Sequence, residues 1–138
     1  MPTLSHILYS VDSGPVLPEL QMHEEYTITR EGVKLVRIGR YTETQVYEGE
    51  WMFTVDESLL TDLFAITESE VCTAYRRIEP REPLDGGETV AIKLIYSDGS
   101  ECALTYDPGT IYEGAEALLQ QIRKVLESLK VSPVVDVQ

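Results

Sequence analysis

The sequence predicts an α+β domain: a mostly antiparallel sheet of about six or seven strands with two helices packed on one face, the C-terminal helix the longer. Three observations carry that expectation. Val90, Ile92, Leu94 and Tyr96 alternate with Ala91, Lys93, Ile95 and Ser97, and Cys102, Leu104 and Tyr106 continue the alternation after Ser97-Asp98-Gly99-Ser100. That is the period of two of a half-buried hairpin closed by an Asp-Gly turn. Ile111, Ala115, Leu118, Leu119, Ile122, Val125, Leu126 and Leu129 then fall at helical spacing in one apolar stripe. Upstream, 25–30 and 33–40 alternate about Glu31-Gly32 as a second hairpin.

Taken in order, Leu4 to Val11 reads as a strand with apolar residues on both faces, ended by Asp12-Ser13-Gly14-Pro15. Pro15 and Pro18 keep the next stretch extended. In the first hairpin Tyr26 and Ile28 look inward, and Val33 and Leu35 share a face with Arg37. A further strand is expected over 44–54, with Tyr47, Trp51 and Phe53 on its buried side. Thr54 or Asp56 caps a short helix whose inner stripe is Leu59, Leu60, Leu63 and Phe64. Another strand is read over Val71 to Ile78, before the breaker-rich loop from Glu79 to Gly87. The domain is taken as 1–130, with 131–138 a flexible C-terminal tail.

Composition bounds the function. The chain has 138 residues, a net charge of −13 and a pI near 4.4. Nucleic acid is excluded as a partner, because phosphate binding runs on Lys and Arg displacing counterions. An anionic membrane surface is excluded on the same ground, and no apolar run is long enough to span a bilayer. No basic segment followed by an apolar run opens the chain, so the expected location is cytoplasmic. Cys72 and Cys102 are expected to pack as small apolar thiols, neither bridged nor ligating.

No catalytic set emerges. Asp12-Ser13-Gly14 is similar to the aspartic-protease turn, but that chemistry needs two carboxylates sharing one proton, and Asp-Ser-Gly is also simply a good turn. In His23-Glu24-Glu25 only two side chains converge on an extended backbone, short of a zinc set, so no metal is expected. Asp85-Gly86-Gly87 lacks the pattern of a phosphate loop, and no cofactor is expected. The eight tyrosines suit strands, core and binding surface alike. Arg76, Arg77 and Arg81 form the one basic concentration in an acidic chain, suited to an anionic ligand or to ion pairs with nearby glutamates.

The order of Ser13-Gly14-Pro15 after a first strand, Leu60-x-x-Leu63 on a short helix, and Val90 to Tyr106 followed by Leu118 to Leu129 resembles a known layout. It resembles small bacterial α+β domains that include the emfourin-type inhibitors of bacterial metalloproteases. The resemblance spans most of the chain and implies inhibition of a protease. It carries over no functional residue, and Pro15 stands where those inhibitors are expected to have a second glycine.

The leading expectation is therefore a non-enzymatic protein-interaction domain, with Asp12, Ser13, Arg76, Arg77 and Arg81 as candidate binding residues and another protein as partner. The alternatives are a small-ligand-binding or enzymatic domain with a pocket between sheet and helix, and a protease inhibitor. A homodimer joined along a strand edge also fits an acidic chain of this size.

Overall fold

A computed structural model describes residues 3–14, 16–82 and 86–134. Six strands build one antiparallel sheet: β1 (Leu4–Asp12), β2 (Met22–Thr29), β3 (Gly32–Gly39), β4 (Gly49–Phe53), β6 (Thr89–Tyr96) and β7 (Glu101–Tyr106). Their spatial order is β4-β3-β2-β1-β6-β7. Two three-residue strands, β5 (Arg76–Ile78) and β8 (Ile111–Glu113), pair separately. Helices α1 (Glu57–Ser69) and α2 (Glu116–Glu127) complete the domain.

The alternation read from the sequence decides which face is covered. Ile7, Tyr9 and Val11 of β1 are buried in one cluster with Tyr26, Ile28, Val33, Leu35, Ile92, Leu94 and Leu104, against Leu60, Leu63 and Phe64 of α1 and Leu118, Ile122 and Val125 of α2. Each fully buried aliphatic side chain of this kind stabilises the fold by about 1.5–3 kcal/mol. Leu4 breaks the parity yet is buried, because a register irregularity between Leu4 and His6 turns both Leu4 and Ile7 inward. The opposite face carries no helix and leaves Ile38 and Met52 exposed.

Helix α1 starts where expected: the Asp56 side chain accepts from Ser58 N–H at 2.9 Å. Asp98 caps the β6–β7 turn in the same way, accepting from Ser100 N–H at 2.9 Å, with Gly99 at φ +86°.

Several expectations are corrected. The C-terminal helix is not the longer, with 12 residues against 13 in α1. Ile111 belongs to β8, because Gly114 at φ +94° breaks the chain before α2 can begin. The strand read over 44–54 is confined to Gly49–Phe53; before it, Thr44 turns the chain with its hydroxyl accepting from Val46 N–H at 3.0 Å. Tyr47 is consequently exposed, while Trp51 and Phe53 pack on the core. The strand read over 71–78 is a 3₁₀ turn at Cys72–Ala74 followed by β5.

The cysteines are not free thiols. Cys72 and Cys102 form a disulfide across Cα atoms 5.8 Å apart, joining the turn after α1 to β7. Thirty residues separate them, and only the folded chain brings the end of α1 against the β6–β7 hairpin.

The segment after Val131 is tethered as far as it is described. Arg37, 1% exposed, donates from Nε to Glu24 Oε2 at 2.9 Å and from its terminal nitrogens to Pro133 O at 3.0 Å and Ser132 O at 2.9 Å. Tyr47 N–H adds a bond to Val134 O at 2.7 Å. The expected flexible tail therefore does not begin at Val131, and 135–138 lie outside the described residues. With Trp51 stacked 5.1 Å from the guanidinium, Arg37 is an internal clamp between sheet and C-terminal segment.

Candidate functional site

The loop end of the sheet gathers most of the residues singled out from the sequence. Asp12 closes β1 directly opposite His23 on β2, and its Oδ1 contacts His23 Nδ1 at 2.9 Å. The Arg40 guanidinium donates to the same oxygen. Burial alone would push the Asp12 carboxyl pKa up; the bonds from His23 and Arg40 outweigh it and hold the carboxyl below its ordinary value. Ser13 closes the strand pair, its Oγ accepting from Met22 N–H at 2.8 Å and its N–H donating to Met22 O at 3.1 Å.

Two loops are laced together beyond this ion cluster. Arg40 N–H donates to Gln21 O at 2.9 Å, Gln45 N–H to Glu19 O at 2.8 Å, and Gln21 Nε2 to Val16 O at 3.3 Å. On this braced framework Val16, Leu17, Ile38 and Tyr41 are between 44% and 62% exposed. The cluster of charges thus has a scaffold role, and the apolar side chains are what the loops present. Ser10 lies on the same sheet face as Asp12 and His23, in a depression shared with Glu25 and Lys93. Among the described residues its hydroxyl makes no hydrogen bond to His23, so these three residues do not form a charge-relay arrangement in this structure.

The arginines do not converge. Arg77 on β5 donates to Asp107 at 3.0 Å, to Glu79 at 3.3 Å and to the Thr105 carbonyl. The Tyr112 hydroxyl accepts from Thr105 N–H at 3.0 Å. Together Arg77 and Tyr112 occupy backbone groups on the outer edge of β7, which blunts that edge against strand addition. Arg76 is exposed opposite Glu113 on β8, and Arg81 is exposed in the following loop. Asp85 lies outside the described residues.

The two regions still share one end of the sheet. A Cβ on Gly14 would meet Gly87 O at 2.1 Å, and one on Gly87 would meet Pro108 at 3.2 Å, next to the Asp107 that pairs with Arg77. Only glycine allows the turn after Asp12-Ser13 to approach the loop before β6 so closely.

A second feature went unseen in the sequence. At the opposite end, a cavity of about 500 Å³ opens between the end of α1 and the β6–β7 hairpin. Leu4, Glu70, Val71, Tyr96, Glu101 and the disulfide line it.

Comparison with protein-family models, with curated proteins and with solved structures gave no match, so the functional reading rests on this geometry.

Proposed function

We propose that this chain is a non-catalytic protein-interaction module that works through the loop end of its sheet. The observation that carries the reading is the set of large apolar side chains Val16, Leu17 and Tyr41, exposed on loops held by backbone hydrogen bonds, with Ile38 exposed beside them at the end of β3. Apolar contacts on a pre-organised frame bind without a large ordering penalty. Asp12, His23 and Arg40 stiffen that frame. The net charge of −13 favours encounter with a basic partner protein. The disulfide supports an oxidising compartment over the cytoplasm expected from the sequence.

The test compares wild type with Leu17→Asp/Tyr41→Ala and with Met52→Lys on the helix-free face. A partner captured from host extract by wild type and by Met52→Lys, and lost with the double variant, is the expected result. Equal capture by all three overturns the assignment of this surface. Titrating a bacterial metalloprotease with the protein separates inhibition from other binding, since unchanged activity at stoichiometric protein removes the inhibitor reading.

A further inference from the structure

The two edges of the six-stranded sheet are finished differently. On β7 the outward backbone at Thr105 is occupied, its carbonyl by Arg77 and its N–H by the Tyr112 hydroxyl. On β4 the outward groups follow from the ladder itself. Arg40 N–H donates to Gln21 O at 2.9 Å and extends the β2–β3 ladder, so the even-numbered residues of β3 bond to β2. The odd-numbered Val33, Leu35 and Arg37 therefore bond to Phe53, Trp51 and Gly49 of β4. Glu50 and Met52 are left with N–H and C=O pointing away from the sheet. Among the described residues no hydrogen bond reaches those groups.

Proteins commonly guard such an edge with a lysine, a proline, a bulge or a covering element. Strand β4 reads Gly49-Glu50-Trp51-Met52-Phe53, with neither lysine nor proline, and pairs with β3 without a register shift. The C-terminal segment meets the chain at Tyr47, ahead of the strand. Met52 is 75% exposed on the helix-free face. Glu50 is held by Lys34 at 2.7 Å, so β4 carries no unbalanced charge in a chain of net charge −13. The strand is also its own complement. Antiparallel pairing of two copies about Trp51 sets Glu50 of each opposite Met52 of the other, each pair exchanging both hydrogen bonds. Gly49 then stands opposite Phe53, and no like charges face each other directly. Centring the pair on Glu50 would oppose two carboxylates, and centring it on Met52 would pair Glu50 with Thr54, beyond the end of the strand.

We propose that the free edge of β4 takes a second copy of this chain, in a two-fold dimer centred on Trp51. The two six-stranded sheets become continuous across the junction. A ladder of five residues per copy makes the dimer concentration-dependent. Because the strands run antiparallel, the two loop ends point in opposite directions and stay open, so the dimer is independent of the loop-end reading.

The experiment is sedimentation equilibrium of the intact, oxidised protein over a concentration series. The mass is expected to rise from 15.5 kDa toward twice that value. Over the same series the amides of Glu50 and Met52 should gain protection from hydrogen exchange, while that of Thr105 stays unchanged. Met52→Pro removes an outward N–H without touching the β3–β4 ladder, and is expected to weaken dimerisation at least tenfold with a native spectrum. Should that variant not fold, Met52→Glu and Met52→Lys at this exposed position replace it. Opposite Glu50 of the second copy, the glutamate should weaken the dimer severalfold relative to the lysine. A chain that stays monomeric up to about 1 mM overturns the proposal. So does a dimer whose affinity is unmoved by Met52→Pro in a folded protein, or is the same for Met52→Glu and Met52→Lys.

Discussion

Glu24 and Glu70 are two carboxylates held against the interior, and the fold treats them in opposite ways. Glu24 is buried beside the fully buried Arg37, whose remaining donors reach the carbonyls of Ser132 and Pro133 and whose face lies on Trp51. Every element of that pair is answered within the chain, so its role is architectural: it locks the C-terminal segment to β3. Glu70 sits at the negative end of α1 beside the Tyr75 hydroxyl, and its Oε1 is shut away with no hydrogen-bond donor among the described residues. The first acid is neutralised by a cation and the second stands at a helix end whose last turn holds no basic residue, so only the first is tied to the stability of the fold through its charge.

The largest effect should come from breaking the answered pair. Arg37→Met preserves much of the volume but leaves Glu24 as an unpaired buried charge, and is expected to destabilise the fold by about 3–5 kcal/mol in urea unfolding. A loss near zero would mean that Glu24 reaches water and that the clamp is not internal. Next comes the disulfide that walls the other acid. Replacing both cysteines by serine releases a loop closed across thirty residues and is expected to lower stability by about 3–4 kcal/mol.

The smallest effect concerns the tyrosines beside the two acids. Burial, then Glu24, pushes Tyr26 up to about 12, and burial, then Glu70, raises Tyr75. A phenol whose folded pKa lies above its unfolded 10 stabilises the fold fully below pH 10, and that contribution is lost as pH rises through 12. Stability should therefore fall from pH 10 to 12. Phenolate absorbance should show Tyr26 titrating earlier in Glu24→Gln and Tyr75 earlier in Glu70→Gln, both still above 10 because burial remains. A Tyr75 titration unmoved by Glu70→Gln would mean that the acid does not act on that hydroxyl.

Periodicity made the sheet and its covered face legible. The alternation through Tyr26, Ile28, Ile92 and Leu94 and the stripe of Leu118, Ile122 and Val125 are local signals that tertiary packing only confirms. It failed where a long-range constraint decides. Val71 to Ile78 has the composition of a strand, but Cys72–Ala74 forms a 3₁₀ turn where Cys72 bridges to Cys102, and only Arg76–Ile78 pairs, with β8. Arg37 was placed on the same face as Val33 and Leu35, yet its burial depends on Glu24, Trp51 and a segment nearly a hundred residues away. Asp12 and Ser13 were picked out as a turn and do anchor the loop end. Arg77 reads from the sequence as an anion site or as an ion-pair partner of nearby glutamates, and the structure shows the ion pairs, with Glu79 and Asp107, together with a bond to the edge of β7. The cavity had no sequence signature, because its walls come from β1, α1, the turn after it and the β6–β7 hairpin.

The most direct measurement is the unfolding free energy of Glu24→Gln and Glu70→Gln side by side at neutral pH without ligand. Removing the answered charge should strand Arg37 and cost about 3 kcal/mol, whereas removing the unanswered one should leave stability unchanged or raise it by roughly 1 kcal/mol. A clear loss of stability in both variants would contradict the account, because the charge of Glu70 would then be paired within the fold as that of Glu24 is.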